Sequence, residues 1–417
     1  MFHAMNGSNT ELHRDRHSHR RLVTGSARKQ RPARTHKKKH IYETVGKVFA
    51  ITVLLYLIIN PLTPDRTFSE SENRMLHQLP TFDLLGGLYG EFSTHFEHYL
   101  MDQFPGRDLL RGIRIRFDTL SGRREEQGVF VGRQGQLLED IVTPNPDALQ
   151  LTVSSLRDFF TRYPDVNHYM MLVPDAATIL HERLPLFASV ADQSRLFASV
   201  RNDLEDHVSW IDLMTPFLSH VGNPLYYKTD VMWTSYGAFQ AFQQAAPVMG
   251  IETDFASSFA SFPISTTFTG SLAPRVGREL NLREEIDIYV PRIGDNDLLV
   301  NFVDEQRRTT SLYDSSFLDS NEQKSVFLGG DTSVVTIQTM SESTRRILVI
   351  RDSYASNFIP FLTPFFREII VVDPRFQTGT MDSIMDSYRI TDVLVLYRGN
   401  SFFSDTNLQG VLGVNHE

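Results

Sequence analysis

Two segments place chemistry-bearing residues where a parallel α/β fold would use them. The apolar run Ile347–Ile350 leads through Arg351 into Asp352-Ser353-Tyr354. Ligands collect at the carboxyl ends of strands in such folds, so a serine hydroxyl at that junction is placed to act on a substrate. A helix N-terminus just behind it would favour negative charge there. The same residues also suit a plain helix cap, whose side chain accepts a backbone hydrogen bond. The second segment, Asp230-Val231-Met232-Trp233, stands just before a helix that Thr234 or Ser235 can cap. Read alone, it is a capped helix with an aromatic packing residue.

The surrounding pattern alternates helix and strand, which predicts an α/β layered domain with a mainly parallel sheet. Helices are expected at 89–100, 107–120, 148–162, 191–206 and 235–249. Short, almost continuous apolar runs at 169–173, 208–211, 347–350, 369–372 and 393–397 read as strands buried on both faces. Residues 251–345 are less regular and rich in Ser, Thr and acids, so β-hairpins or an irregular insertion are expected there.

Charge divides the 417-residue chain unevenly. Residues 1–60 hold 12 Lys and Arg against three acids, leaving 29 basic and 47 acidic residues beyond. Between the two lies the apolar run Val48–Ile59, extending to 45–62 if Lys47 snorkels. Eighteen helical residues reach roughly 27 Å, against a hydrocarbon core of about 30 Å. The expected organisation is a disordered basic cytoplasmic tail over 1–44 and a transmembrane signal anchor over 45–62. A linker and helical segment over 63–125 then leads into an extracytoplasmic domain over 126–417. The basic flank places the N-terminus in the cytoplasm by the positive-inside rule. A cleaved signal peptide and a buried core helix are the rival readings; no small-x-small cleavage site follows Ile59.

Composition excludes several classes. With no cysteine, there is no disulfide, thiolate metal site or cysteine nucleophile. The acidic body offers no basic footprint for nucleic acid, and no Walker or Gly-x-Gly-x-x-Gly motif is present. His95 and His98 are the one helically spaced histidine pair beyond residue 60, too few for a usual metal set. No cofactor and no metal is expected.

Eight short motifs in order resemble the DHHW family, relatives of the SGNH hydrolases and of the alginate O-acetylation proteins. They are Ser71–Arg74, Asp102–Asp108, Gly128–Phe130, Lys228–Ala238, Thr267–Gly270, Phe327–Gly330, Asp352–Phe358 and Asp373–Phe376. The resemblance implies a three-layer α/β/α SGNH-like domain in which Ser353 holds the nucleophile position and Asp230 that of the orienting carboxylate. The family's Asp-His-His-Trp reads Asp230-Val231-Met232-Trp233 here, so a thioether occupies the base position. The family's Gly-Gly-Asn reads Gly329-Gly330-Asp331, placing a carboxylate where an amide would donate.

A serine hydroxyl is a poor nucleophile without a neighbouring base. Any histidine to stand in for one must come from His77, His95, His98, His168, His181, His207 or His220, and His181, just past the strand ending at Val173, is the best placed of them. Asp352 or Asp230 would serve only with a pKa raised by burial. Three readings follow: a degenerate domain that binds an envelope polysaccharide or a partner protein, an active serine O-acyltransferase or esterase served by a membrane acyl-transfer partner, and a structural envelope component. Trp233, Gly330, Asp331, Tyr354 and Arg375 are the candidate ligand-binding residues, with an Arg375–Asp373 or Arg375–Asp352 salt bridge as the plainer role for Arg375.

Overall fold

The computed structural model describes residues 35–69, 74–80, 91–107, 109, 110, 113, 125–276, 282–294, 296–377 and 379–413. The tail before residue 35, part of the Ser71–Arg74 motif, Asp108 and most of the helix expected over 107–120 lie outside them.

The chain divides into two compact units, Met1–Pro64 and Asp65–Glu417. In the first, helix α1 (Thr35–Ile59) runs into a 3-10 turn at Asn60–Leu62. Among the described residues no helix is long and apolar enough to cross a membrane, so the expected spanning helix over 45–62 is not seen. The physical reason is the short apolar stretch: charge-free helix runs from Val48 to Ile59. That rises only about 18 Å at 1.5 Å per residue.

The second unit opens with the paired strands β1 (Phe68–Ser69) and β2 (Arg74–Met75), then helix α2 (Glu91–Asp102). A small antiparallel sheet follows, of β3 (Glu125–Glu126), β4 (Val129–Val131) and β5 (Leu137–Glu139). Helix α3 (Pro146–Arg162) starts at Asn145, whose side chain accepts from the N–H groups of Asp147 and Ala148, with Pro146 in the first turn.

The main sheet takes β6 (Asn167–Val173), β7 (Ser209–Trp210), β10 (Leu298–Phe302), β11 (Arg307–Thr309), β12 (Val334–Thr339), β13 (Arg346–Arg351), β14 (Glu368–Val372) and β15 (Asp392–Arg398). Strands β8 (Phe259–Phe268) and β9 (Glu284–Pro291) form a separate hairpin. The order across the main sheet is β11-β10-β12-β14-β13-β15-β6-β7. From β14 to β7 every neighbour is parallel. Beyond β14 the pairings with β12, β10 and β11 are antiparallel. The sheet is therefore mixed rather than mainly parallel. The difference comes from the 251–345 region, whose last strands extend the sheet instead of forming a detached insertion.

Period-two alternation sends side chains to both faces. Val349, Val371, Leu394 and Met171 pack on one side with Ala241 and Phe242 of α5 (Ser235–Val248) and with Phe358 and Phe361. Ile350, Ile370, Val395 and Leu172 pack on the other with α3, α4 (Gln193–Leu204) and α6 (Met381–Tyr388). Each fully buried Leu, Ile or Phe contributes about 1.5–3 kcal/mol over exposure. Two closed faces leave the strand ends as the place where polar groups can gather.

Candidate functional site

The carboxyl ends of β13, β14, β15 and β6 deliver Asp352, Asp373, Arg398 and Asp175 to one edge of the sheet. Strand β13 stops at Asp352, whose side chain accepts from the Tyr354 N–H at 3.0 Å and caps a 3-10 turn, Ser353–Asn357. A second 3-10 turn, Ile359–Phe361, follows. The helix N-terminus expected behind Ser353 is thus replaced by short turns, which lack the aligned dipole of a full helix. Ser353 is half-buried, and its hydroxyl has no hydrogen-bond partner among the described residues.

Asp352 also accepts from the Arg398 N–H at 3.2 Å. Burial pushes its carboxyl above the ordinary range, while hydrogen bonds from Ser401, Tyr354 and Arg398 pull the other way. The raised pKa meets one condition for a stand-in base, yet both carboxylate oxygens are occupied by the backbone. Arg398 pairs with Asp175 and Glu139, and its guanidinium lies 5.9 Å from the Tyr354 ring centre. Burial raises the Glu139 pKa, but Arg398 and Arg275 outweigh it and hold the carboxyl below its usual range.

The Asp230–Trp233 segment is drawn to the same turn. Trp233 is fully buried, and its indole N–H donates to the Tyr354 carbonyl at 2.9 Å and to Asn357 Oδ1 at 2.5 Å. The Tyr354 hydroxyl donates back to the Val231 carbonyl. Sequence reasoning set these two segments 120 residues apart; the fold locks them together. Both rings are core residues here and present no face to a ligand.

Met232 is buried at 4% exposure among apolar neighbours. Only its backbone makes polar contacts, donating to Asp230 Oδ1 at 2.9 Å and accepting from Tyr227 N–H. Asp230 is 1% exposed and accepts from the Ser271 N–H at 2.7 Å as well. That approach requires Gly270, where an added Cβ would stand 2.3 Å from the Asp230 Cβ. Lys324 Nζ lies 3.8 Å from the carboxylate. His181 is exposed on a 3-10 turn after β6 and is not hydrogen-bonded to Ser353.

Asp331 and Arg375 form a third group. Leu328, Gly329 and Gly330 all take positive φ, at 55°, 68° and 94°, and swing the chain to a half-exposed Asp331. Its carboxylate is 3.3 Å from Arg375 and 3.8 Å from Arg351. Arg375 grips the buried Asp373 through Nε–Oδ1 at 2.9 Å and Nη2–Oδ2 at 2.6 Å, which gives it the salt-bridge role. Those hydrogen bonds raise its pKa further.

Sequence reasoning missed Arg351, Arg398 and Lys324. Arg351 is fully buried and donates through Nη1 to the Asp352 carbonyl and to Ser356 Oγ, bracing the turn that carries Ser353. Its Nε and Nη2 have no hydrogen-bond partner among the described residues. Burial lowers its pKa against the opposing pull of Asp373, Asp331 and Asp352. A basic residue ending a four-residue apolar run was the available signal.

The profile described as DHHW protein matches residues 165–372. No curated protein matches the chain. A DHHW family protein from Eubacterium siraeum is 23% identical with TM-score 0.57, the alignment covering 68% of this chain and 97% of that one. Bacillus cereus PatB1, in a structure holding a sulfonyl adduct, is 17% identical with TM-score 0.57 and coverages of 68% and 97%. These likenesses establish the shared α/β fold.

Proposed function

We propose, for a chain that belongs to the DHHW family, a role in cell-envelope polysaccharide O-acetylation in which Ser353 no longer has a base, so that the domain binds glycan rather than transferring acyl groups. The observation that carries this reading is Met232: the base position is filled by a buried thioether, and among the described residues no histidine is hydrogen-bonded to the Ser353 hydroxyl. Asp230 spends its oxygens on two backbone N–H groups, which supports the same view. Removing the base of a serine triad costs about 10⁴–10⁶-fold in turnover.

An active serine esterase or O-acyltransferase is the second reading, favoured by one feature. The Ser353 turn is intact and braced by Arg351, with Ser353 its one half-exposed residue. Labelling of the full chain with a serine-directed fluorophosphonate separates the two. The binding reading predicts labelling no greater than in Ser353→Ala; strong Ser353-dependent labelling favours the enzyme. Placement of the acidic body outside the cytoplasm belongs to the proposal and rests on the charge asymmetry of the sequence. A protease-protection assay on intact cells tests it: digestion of the body from outside supports the placement.

A further inference from the structure

Beside Asp230 opens a cavity of about 410 Å³ between the end of β8 with its following loop and residues 320–324. Ligand cavities generally run about 300–1,000 Å³. Its walls combine hydroxyl, amide and charged groups, among them Thr267, Ser271, Arg283 and Asn321, with the apolar Phe268 and Pro274, and Asp230 and Lys324 stand at one side. Gln323 ties the walls together, accepting from Ser265 Oγ at 2.8 Å and donating to Thr267 Oγ1.

A carboxylate as buried as Asp230 needs compensation, because an unpaired buried charge is strongly unfavourable. Met232 cannot supply a cation; Lys324 does. At 3.8 Å the ammonium is near enough for charge pairing yet beyond hydrogen-bond reach. Among the described residues the Lys324 ammonium makes no hydrogen bond, so its three donors are available within the cavity.

We infer that this cavity binds a neutral, hydroxyl-rich ligand of the pyranose type, with Lys324 as its principal donor and Asp230 as the partner that places the Lys324 ammonium at the cavity wall. Asp230 thus serves binding rather than orientation of a catalytic imidazole. The charged lining is balanced, Asp230 and Glu322 against Arg283 and Lys324, so it selects for hydrogen-bonding capacity over net charge. The inference deepens the glycan reading and rests on it.

The test is isothermal titration of the full chain with the trimer of N-acetylglucosamine. Saturable binding is expected, weakened at least about tenfold in Lys324→Met and largely restored in Lys324→Arg, with thermal midpoints of all three proteins alike. Wild-type binding that Lys324→Met leaves intact overturns this assignment alone. Absence of saturable binding by wild type overturns it together with the glycan reading. A lowered midpoint in Lys324→Met would shift the decision to Lys324→Arg, where loss of binding in a normally folded protein counts against a donor role that any cation fills.

Discussion

The indole N–H of Trp233 donates to the backbone carbonyl of Tyr354 at 2.9 Å, fastening the loop that carries Asp230 to the turn that carries Ser353. With the bonds from Trp233 to Asn357 Oδ1 and from the Tyr354 hydroxyl to the Val231 carbonyl, it fixes the relative position of residues more than 100 apart in sequence. The Tyr354 ring returns the contact, its centre 5.4 Å from that of Trp233.

Trp233→Phe keeps an aromatic body and removes that donor. A buried carbonyl left unsatisfied costs about 1–3 kcal/mol. Chemical denaturation should show that loss through a lower midpoint at unchanged slope. A midpoint equal to wild type would mean the bond does not hold the loop and turn together.

Arg375→Ala takes two side-chain hydrogen bonds from the fully buried Asp373 carboxylate, leaving it Arg351 at 3.8 Å as its cation. The variant should lose about 2–4 kcal/mol in the same assay, tempered by the partial exposure of Arg375. Arg375→Lys should recover only part of it, because an ammonium cannot reproduce the two parallel bonds of the guanidinium. Equal stability of the lysine variant and wild type would contradict the bidentate account.

His168 supplies a pH prediction. Its ring packs against Phe160 with centres 4.7 Å apart, and among the described residues its buried Nε2 has no hydrogen-bond partner. Burial, with a smaller effect from His207, lowers its pKa from 6.5 to about 4. A lowered histidine pKa means that the unfolded chain takes up the proton first as pH falls. Its contribution is whole above about pH 6.5, fades from there to about pH 4, and is worth about 1.4 kcal/mol per pH unit at most. Unfolding free energies measured from pH 7 to 4 should fall less steeply in His168→Gln than in wild type. Parallel curves would show that His168 does not titrate in this window.

Much of the parallel half of the sheet was legible in the sequence, because β6, β13, β14 and β15 are buried on both faces and therefore read as unbroken apolar runs. The antiparallel half was not. Strands β10 and β11 mix buried and half-exposed positions with charged residues, as in Arg307–Thr309, and carry no run to detect. The α5 cap was legible as Thr234 or Ser235, and Thr234 holds it through Gly237 N–H at 3.0 Å. At the site, Ser353, Asp230 and Met232 were visible as motif positions. Lys324 was not, since a lone lysine in a polar 3-10 turn has no periodic signature and gains meaning only from the buried carboxylate it meets.

The central claim is that Ser353 is idle for want of a base at position 232. Hydrolysis of a chromogenic acetyl ester by the full chain, measured beside Ser353→Ala and Met232→His, addresses it directly. The account predicts that wild type matches the Ser353→Ala background, and that Met232→His rises at least about tenfold above it, since restoring a base recovers part of a 10⁴–10⁶-fold effect. Wild-type turnover that disappears in Ser353→Ala would contradict the claim, because it would mean that a base other than a histidine at 232 already serves the serine.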